Sequence, residues 1–594
     1  MYLEKFIVKN FRAIDYLELN FNKGLNVLIG ENNSGKTTVI DALRLCLSDF
    51  QQPRDIYCSL SDFRVDKSDL NCKLKNIEFH LFFQVEKDIE TAWFNDLHVL
   101  DENGNNSLQL HHKYEIIDSK LGKRVKRTVW GGAKEGGTVP YEVRLALRNI
   151  YLSAIRDVNK NLRPNRANIL GDLYSNIIID EDTEKDQKKK DELLKSITDI
   201  LDDDNWRTFI GDGNSKISEH LKKLSYFSDG KRQDIKVGFT PFEFDKLVQN
   251  LIIQLPIYSE DIIGSNHNEQ QYFEIWQNGL GLNNLIYTSA VLGDIKQKKE
   301  ISKEEYNLLL IEEPESHLHP QLQNTFFNYL EELNKEHEFQ IIVTSHSPTI
   351  TAKTDLNLLS ILQNNENKIS STQINELDLE KNSLKYLQKF LDVTKSQLLF
   401  ANGVILVEGI SESILVPIFS KILGEEYDTE RNGIEVVNVN GVAFKHFAVL
   451  FNSNNEKKRL KCRCGIISDN DEDKWDGKNG KSIKARVKNI ENLGSENLEV
   501  NFAKKTFEYE LFKANPNNEL LFEIIGKVHK NLPAKITEKN NIDEQAKLFI
   551  EKLTKKSEFA YLLSMELEKN ENYNNFNVPG YIEKSIKFVV KGTH

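Results

Sequence analysis

The segment GENNSGKT (30–37) combines the residue types that can enclose a polyphosphate. Gly30 and Gly35 allow a tight turn, so the backbone amides of Asn32, Asn33, Ser34 and their neighbours can point at phosphate oxygens. Lys36 can reach the β- and γ-phosphates, the Thr37 hydroxyl can hold Mg2+, and Thr38 continues into a helix whose positive dipole end faces the anion. Far downstream, LLLIEEPE (308–315) delivers two carboxylates at the end of an apolar run. Glu312 would hold Mg2+ through water there, and Glu313 would polarise an attacking water. In IIVTSHSP (341–348), His346 stands where a γ-phosphate could be sensed. A second constellation is wholly acidic. VEGISE (407–412) supplies Glu408 and, one helical turn on, Glu412, while SDND (468–471) supplies Asp469 and Asp471. The Asp-x-Asp spacing is expected to send both carboxylates to one side of a strand. Clustered carboxylates repel unless divalent cations neutralise them, and Mg2+ suits an all-oxygen cage, with Mn2+ an alternative. Two such ions can stabilise the attacking and leaving oxygens of a phosphodiester displacement.

The elements needed to position these groups are legible. YLEKFIVKNF and YLELNF alternate as strands, and GLNVLIG is a short apolar run feeding the glycine loop. TVIDALRLCL (38–47) has helical periodicity, giving the strand–loop–helix context that a phosphate loop requires. Further strands are expected near 77–85 and 113–118, with a glycine-rich turn at 131–137. Residues 159–268 are dominated by charged helical stretches and read as a helical insertion, used for pairing or for moving against the ATPase core, or as a plain solvated face. A polar stretch, 364–385, reads as a linker. The expected domains are an ATPase N-terminal part (1–158), the insertion (159–268), an ATPase C-terminal part (269–385) and a separate α/β domain (396–594).

Composition sets bounds. At 594 residues the chain exceeds a single core. A net charge of −12 argues against bulk electrostatic coating of nucleic acid but permits local basic patches. One lies between Glu456 and Lys488, where 11 Lys or Arg stand against 6 Asp or Glu. It could neutralise phosphates beside the acids. A second run, KLGKRVKR (120–127), is as consistent with a solvated face. Cys462 and Cys464 lack a second ligand pair and read as strand residues. MYLEKFIVKNF is no signal peptide and no apolar run reaches a membrane span, so a soluble, cytoplasmic protein is expected.

The nucleotide motifs resemble ATP-binding-cassette ATPases, in the branch of chromosome-maintenance and recombination-repair ATPases. In that family a signature loop comes from a second subunit. NGLGLNN (278–284) occupies its place, nominating Gly279, Gly281 and Asn283, and the resemblance implies a homodimer or higher oligomer. His317 and His319 resemble the loop that contacts the opposing head; read alone, they are a histidine pair capping a helix, or a weak metal site. The acidic motifs resemble the Toprim fold of topoisomerases, primases and some nucleases. With both on one chain, the sequence resembles the overcoming-lysogenization-defect (OLD) family of ATP-dependent endonucleases over almost its whole length. The implied fold is α/β: an ABC/SMC-like P-loop ATPase with a helical insertion, then a C-terminal Toprim domain.

Three further stretches fit that resemblance. YLSAIRDVNK (151–160) nominates Arg156 and Asp157, TFEYEL (506–511) nominates Glu508 as a metal ligand with Glu510 second, and KKSEFAYLL (555–563) nominates Lys556 opposite the scissile phosphate, although Ser557 replaces the family's glycine. The resemblance implies ATP, Mg2+, DNA as substrate and a role in antiphage defence. The family includes the Gabija nuclease subunit, paired with a helicase-like partner, and retron effectors held by a reverse transcriptase and its DNA. The competing readings are a repair ATPase whose Toprim domain only binds DNA, a topoisomerase or primase relative, and a transporter ATPase.

Overall fold

The computed structural model describes residues 1–48, 56–65, 73–100, 106–120, 122–153, 169–175, 177, 182–201, 203–224, 237, 239, 242–256, 272–274, 277–301, 305–316, 318–336, 339–365, 368–392, 394–441, 443–474, 480–569 and 575–591. They fall into two compact units. One comprises Met1–Tyr151, Tyr306–Glu315 and His319–His594; the other comprises Leu152–Glu305 and Ser316–Leu318.

The first unit contains three sheets. Strands β1 (Tyr2–Phe11), β2 (Ile14–Asn20), β3 (Leu25–Ile29), β4 (Asn76–Gln84), β5 (His98–Leu100), β6 (Asn106–Ser119), β7 (Gly122–Gly131) and β8 (Leu147–Leu152) come first in the chain. An antiparallel sheet runs β2-β1-β4-β6-β5, with β7 also pairing β6. Its β1 strand buries Leu3, Phe6, Val8 and Phe11 with half-buried or exposed residues between them, the alternation interrupted by a register shift at Leu3/Lys5. Of the basic run, residues 122–127 lie on edge strand β7, where Lys123, Arg124 and Lys126 are exposed. Such charges protect an edge strand from further pairing.

In the second sheet, β11 (Tyr306–Glu312), β12 (Gln340–Ser345), β13 (Leu359–Asn365) and β14 (Lys368–Gln373) join β3 and β8 in the order β14-β13-β3-β12-β11-β8. The pairs β11–β12, β12–β3 and β3–β13 are parallel. Strands β3, β11 and β12 are buried at every position, as parallel strands covered on both faces must be. Here the structure corrects the expected linker at 364–385. The segment instead completes an antiparallel hairpin, β13–β14, and then a helix, Lys381–Phe390. Its polar side chains disguised it: Thr372 and Gln373 are buried, and Gln373 donates to the Ser360 hydroxyl within the sheet.

The third sheet is wholly parallel. Strands β15 (Gly403–Val407), β16 (Ile434–Asn438), β17 (Arg463–Asp469) and β18 (Leu498–Ala503) stand in the order β16-β15-β17-β18. The order reverses at β15, so β15 and β17 flank a switch point where open α/β sheets form ligand sites at strand C-termini. A core including Phe419, Phe507, Phe512, Phe549 and Phe559 supports it. Cys462 and Cys464 are buried beside and within β17, and burial pushes the Cys462 thiol up to about 12, which leaves it inert.

The second unit contains the helices Ile169–Ser175, Thr183–Leu201, Asp204–Leu224 and Leu280–Ile301, with a short antiparallel pair, β9 (Gln254–Pro256) and β10 (Tyr272–Glu274). No described helix is long and apolar enough to cross a membrane.

Candidate nucleotide and phosphodiester sites

The glycine loop links β3 to helix α1 (Lys36–Leu47). Three residues take left-handed or equivalent conformations: Gly30 (φ 155°), Asn33 (φ 68°) and Gly35 (φ 95°). Gly30 has a second reason to be glycine, because a Cβ there would lie 2.3 Å from the Leu362 carbonyl oxygen of β13. Lys36 is buried and donates to the Gly30 and Glu31 carbonyls at 2.7 and 2.8 Å. Burial lowers its pKa, opposed by Glu313, Glu315, Glu31 and Glu312. The lysine thus stands beside the loop among four carboxylates, where a phosphate could replace the carbonyls as its partner. Ser34 is buried and its hydroxyl has no hydrogen-bond partner among the described residues, whereas Thr37 is exposed and Thr38 half-buried at the first turn of α1. Asn32 is exposed in the loop.

Glu312 ends β11. Its Oε2 accepts from the Tyr151 hydroxyl at 2.5 Å, and its buried Oε1 has no partner among the described residues. Tyr151 lies against the Arg44 guanidinium, which is 3.7 Å from the ring centroid. Glu313 leaves the strand in a left-handed conformation (φ 41°) and its Oε1 meets His346 Nδ1 at 3.2 Å. That turn separates two adjacent carboxylates, one toward Tyr151 and one toward His346. Sequence reasoning gave Glu315 no role. It is buried, accepting from the Ser345 hydroxyl at 2.7 Å and from the His346 amide at 3.0 Å, and so ties the end of β11 to the histidine loop. The Tyr151–Glu312 pair was likewise unassigned, since a phenol 161 residues away carries no periodic signal.

Gly279, Gly281 and Asn283 lie in the second unit, where Gly279 precedes helix α2 (Leu280–Ile301) and the Asn283 amide donates to the Gly279 carbonyl. His319 precedes the helix Pro320–Glu336, where its Nδ1 accepts from the Gln321 amide at 3.4 Å. Arg156, Asp157 and His317 lie outside the described residues.

The acidic residues assemble at the C-terminal ends of β15 and β17. Glu408 follows β15, and Glu412 lies in the first turn of helix α3 (Ile410–Leu423). Gly409 leaves room for it, since a Cβ there would lie 3.1 Å from Glu412 Oε2. Ser468 donates to Glu408 Oε2 at 3.0 Å. Asp469 ends β17, but Asp471 does not share its strand geometry. It is left-handed (φ 50°) and its amide donates to the Lys505 carbonyl, so a turn rather than strand alternation brings its carboxylate back. Glu508, buried on helix α5 (Phe507–Ala514), accepts from Lys556 at 2.8 Å, and Lys556 opens helix α6 (Lys556–Leu567). Asp471 is held by Lys474 at 2.7 Å and by Arg486 at 3.0 Å; Arg486 comes from helix α4 (Gly480–Glu491).

The electrostatics register the crowding. Burial pushes Asp469 up to about 8, reinforced by Glu408, Glu412, Glu508 and Asp471. Burial likewise pushes Glu412 up to about 7, with Glu508 and Glu408 adding to it. Among the described residues, no three carboxylates are arranged to grip one ion together. The donor set nonetheless fits a hard divalent cation: it is all oxygen, it carries excess negative charge, and Glu510 Oε1 and the Tyr581 hydroxyl are buried nearby without partners among the described residues. Glu408, Glu412, Asp469, Asp471 and Glu508 are the residues that would hold it.

Comparison with known proteins agrees with both halves. Residues 399–471 match the family described as overcoming lysogenization defect protein-like, TOPRIM domain. The chain is 24% identical over 450 residues to an OLD nuclease of Thermus scotoductus, covering 74% of this chain and 78% of that one. It is 23% identical over 677 residues to the endonuclease GajA of Bacillus cereus, covering 97% and 94%. The Old nuclease of Escherichia phage P2 is 29% identical over 214 residues, 35% of this chain and 36% of that one. Residues 1–135 and 144–351, more than half the chain, match the family described as AAA ATPase domain, so the chain belongs to that family and carries the Toprim domain of OLD-like proteins behind it.

Proposed function

We propose that the chain is an ATP-controlled, divalent-metal-dependent DNA endonuclease, with Mg2+ or Mn2+ at the Toprim acids. The observation that carries this reading is the gathering of Glu408, Glu412 and Asp469 at the C-terminal ends of β15 and β17, beside buried Glu508, where burial and then these neighbouring carboxylates push Asp469 up to about 8. A domain that merely bound DNA would gain nothing from burying these carboxylates together, and would repel phosphate. Bound divalent cations would supply the charge that stabilises attacking and leaving oxygens of a phosphodiester displacement. The chain's own residues prepare for that. Ser468 orients Glu408, burial fixes Glu412 and Glu508, and Lys556 stands beside Glu508 with 46% of its side chain exposed, free to turn to a scissile phosphate. In the ATPase site, Lys36 would pair with the β- and γ-phosphates of a bound nucleotide. Glu313, oriented by His346, would polarise the attacking water, and Glu312 and Thr37 are the residues that would hold Mg2+.

DNA as substrate and a role in antiphage defence are supported by the resemblance to OLD and Gabija nucleases. The remaining half of each ATP site is assigned to Gly279 and Gly281 of a second copy, so the working particle is at least a dimer. A helicase-like protein or a reverse transcriptase with its DNA product is the proposed kind of defence partner. The direct test is supercoiled plasmid with purified protein. Nicked or linear product with Mg2+ or Mn2+, and none with chelator, supports the proposal; intact plasmid under every combination of ATP and cation rejects it.

A further inference from the structure

Arg486 connects the acidic cluster to a cleft. Its Nη2 donates to Asp471 Oδ2 at 3.0 Å and to the Asp469 carbonyl at 2.8 Å, and its Nη1 lies 4.0 Å from Glu408 Oε1. One guanidinium therefore reaches three of the residues at the two strand ends. The same side chain lines a cleft of about 680 Å³ with Lys445, Ser482, Ala485, Asn489 and Asn492. Its side chain is one-quarter exposed, and its Nε is buried without a hydrogen-bond partner among the described residues. Asp471 has its other oxygen on Lys474, which is 56% exposed and three residues along the chain; a solvated pair of that kind is weak. Arg486, arriving from a separate helix, is the better-held cation.

Resting on the nuclease reading, we propose that Arg486 is a displaceable internal counter-cation: it occupies Asp471 and faces Glu408 until a DNA phosphate in the adjoining cleft draws it away and frees both carboxylates for a divalent ion. Arg486 is thus a positioning residue. A guanidinium binds phosphate as readily as carboxylate and offers a fixed fork of donors, so the exchange conserves hydrogen bonds. Two cations competing for one set of oxygens cannot both be held well, so removing the guanidinium from Asp471 strengthens divalent binding. Because the phosphate performs that removal, DNA and metal binding must be coupled, and the coupling is reciprocal.

The test is titration calorimetry of nucleotide-free, full-length protein with Ca2+, an oxygen-seeking ion, with and without a short duplex DNA. Heats from Asp469→Ala protein and from DNA alone are subtracted to isolate the Toprim site. Wild type should bind Ca2+ weakly alone and roughly 5-fold or more tightly with DNA. Arg486→Ala should bind Ca2+ tightly without DNA and gain little from it, whereas Arg486→Lys, retaining a charge, should regain part of the coupling. Unchanged or weaker Ca2+ binding by DNA-free Arg486→Ala, or full coupling in that variant, overturns the proposal. Plasmid nicking by wild type, run in parallel, separates the two failures. Nicking with an unaltered Arg486→Ala titration removes the counter-cation and leaves the nuclease; no subtractable Ca2+ binding and no nicking removes both.

Discussion

At the scale of single residues, the two sites differ in how they restrain charge. In the ATPase site burial lowers the lysine's pKa and four carboxylates oppose it, while in the Toprim site burial, reinforced by the neighbouring acids, pushes Glu412 up to about 7 and Asp469 to about 8. Lys36→Ala should abolish ATP binding and turnover, because no other described residue is bonded to the loop carbonyls through a side-chain ammonium. Glu313→Gln should keep binding and lose roughly 10²-fold or more in hydrolysis; radiolabelled ATP retention beside a phosphate-release assay distinguishes the two. A pH effect belongs to a different pair. His80 and His111 face each other with Nδ1 atoms 2.9 Å apart, an arrangement in which only one can donate. Burial, then the His80 charge, pushes His111 from 6.5 to about 4. The unfolded chain therefore binds the proton first as pH falls, and stability should decline between about pH 6.5 and 4. Thermal melts should show a smaller decline over that window in His111→Gln than in wild type.

At the scale of elements, the motifs were readable because each follows an apolar strand: β3 before the glycine loop, β11 before Glu312, β15 before Glu408 and β17 before Asp469. The hairpin β13–β14 was not readable, since buried Thr372 and Gln373 satisfy their polar groups inside the sheet and so imitate a linker. Tyr151 and Glu315, which complete the ATPase site, were also hidden, and Arg486 was legible only as one of the basic patch beside the acids, not as a partner of Asp471. Each reaches its partner through tertiary folding, and no spacing rule encodes that. The hairpin's importance can be measured. Buried Ile369 packs behind the glycine loop, its Cδ1 lying 2.8 Å from where a Gly35 Cβ would be. On the other face, Gln363 accepts from the Lys461 amide at 3.0 Å, next to β17. Ile369→Ala should cost ~2–4 kcal/mol by the cavity it leaves. It should also weaken ATP affinity, measured by calorimetry alongside the melting temperature; a stable variant with unchanged affinity would separate the hairpin from the loop.

At the scale of the whole molecule, one chain carries two sets of carboxylates that share no residue: Glu312 and Glu313 at the glycine loop, and Glu408, Glu412, Asp469, Asp471 and Glu508 at the Toprim sheet. Assignment of Gly279 and Gly281 to a neighbour's nucleotide predicts a dimer or larger particle. Light scattering with ATP-bound Glu313→Gln protein should give at least twice the mass of one chain, and a strictly monomeric particle with and without ATP would remove that assignment. The separateness of the two chemistries is the central claim, and the double variant Asp469→Ala, Asp471→Ala tests it most directly. Assayed together for Mg2+- or Mn2+-dependent plasmid cleavage and for ATP turnover, it should lose cleavage entirely and keep its basal ATPase rate within a few fold. Loss of ATP turnover together with cleavage would contradict that separateness, and cleavage persisting in that purified double variant would contradict the nuclease assignment.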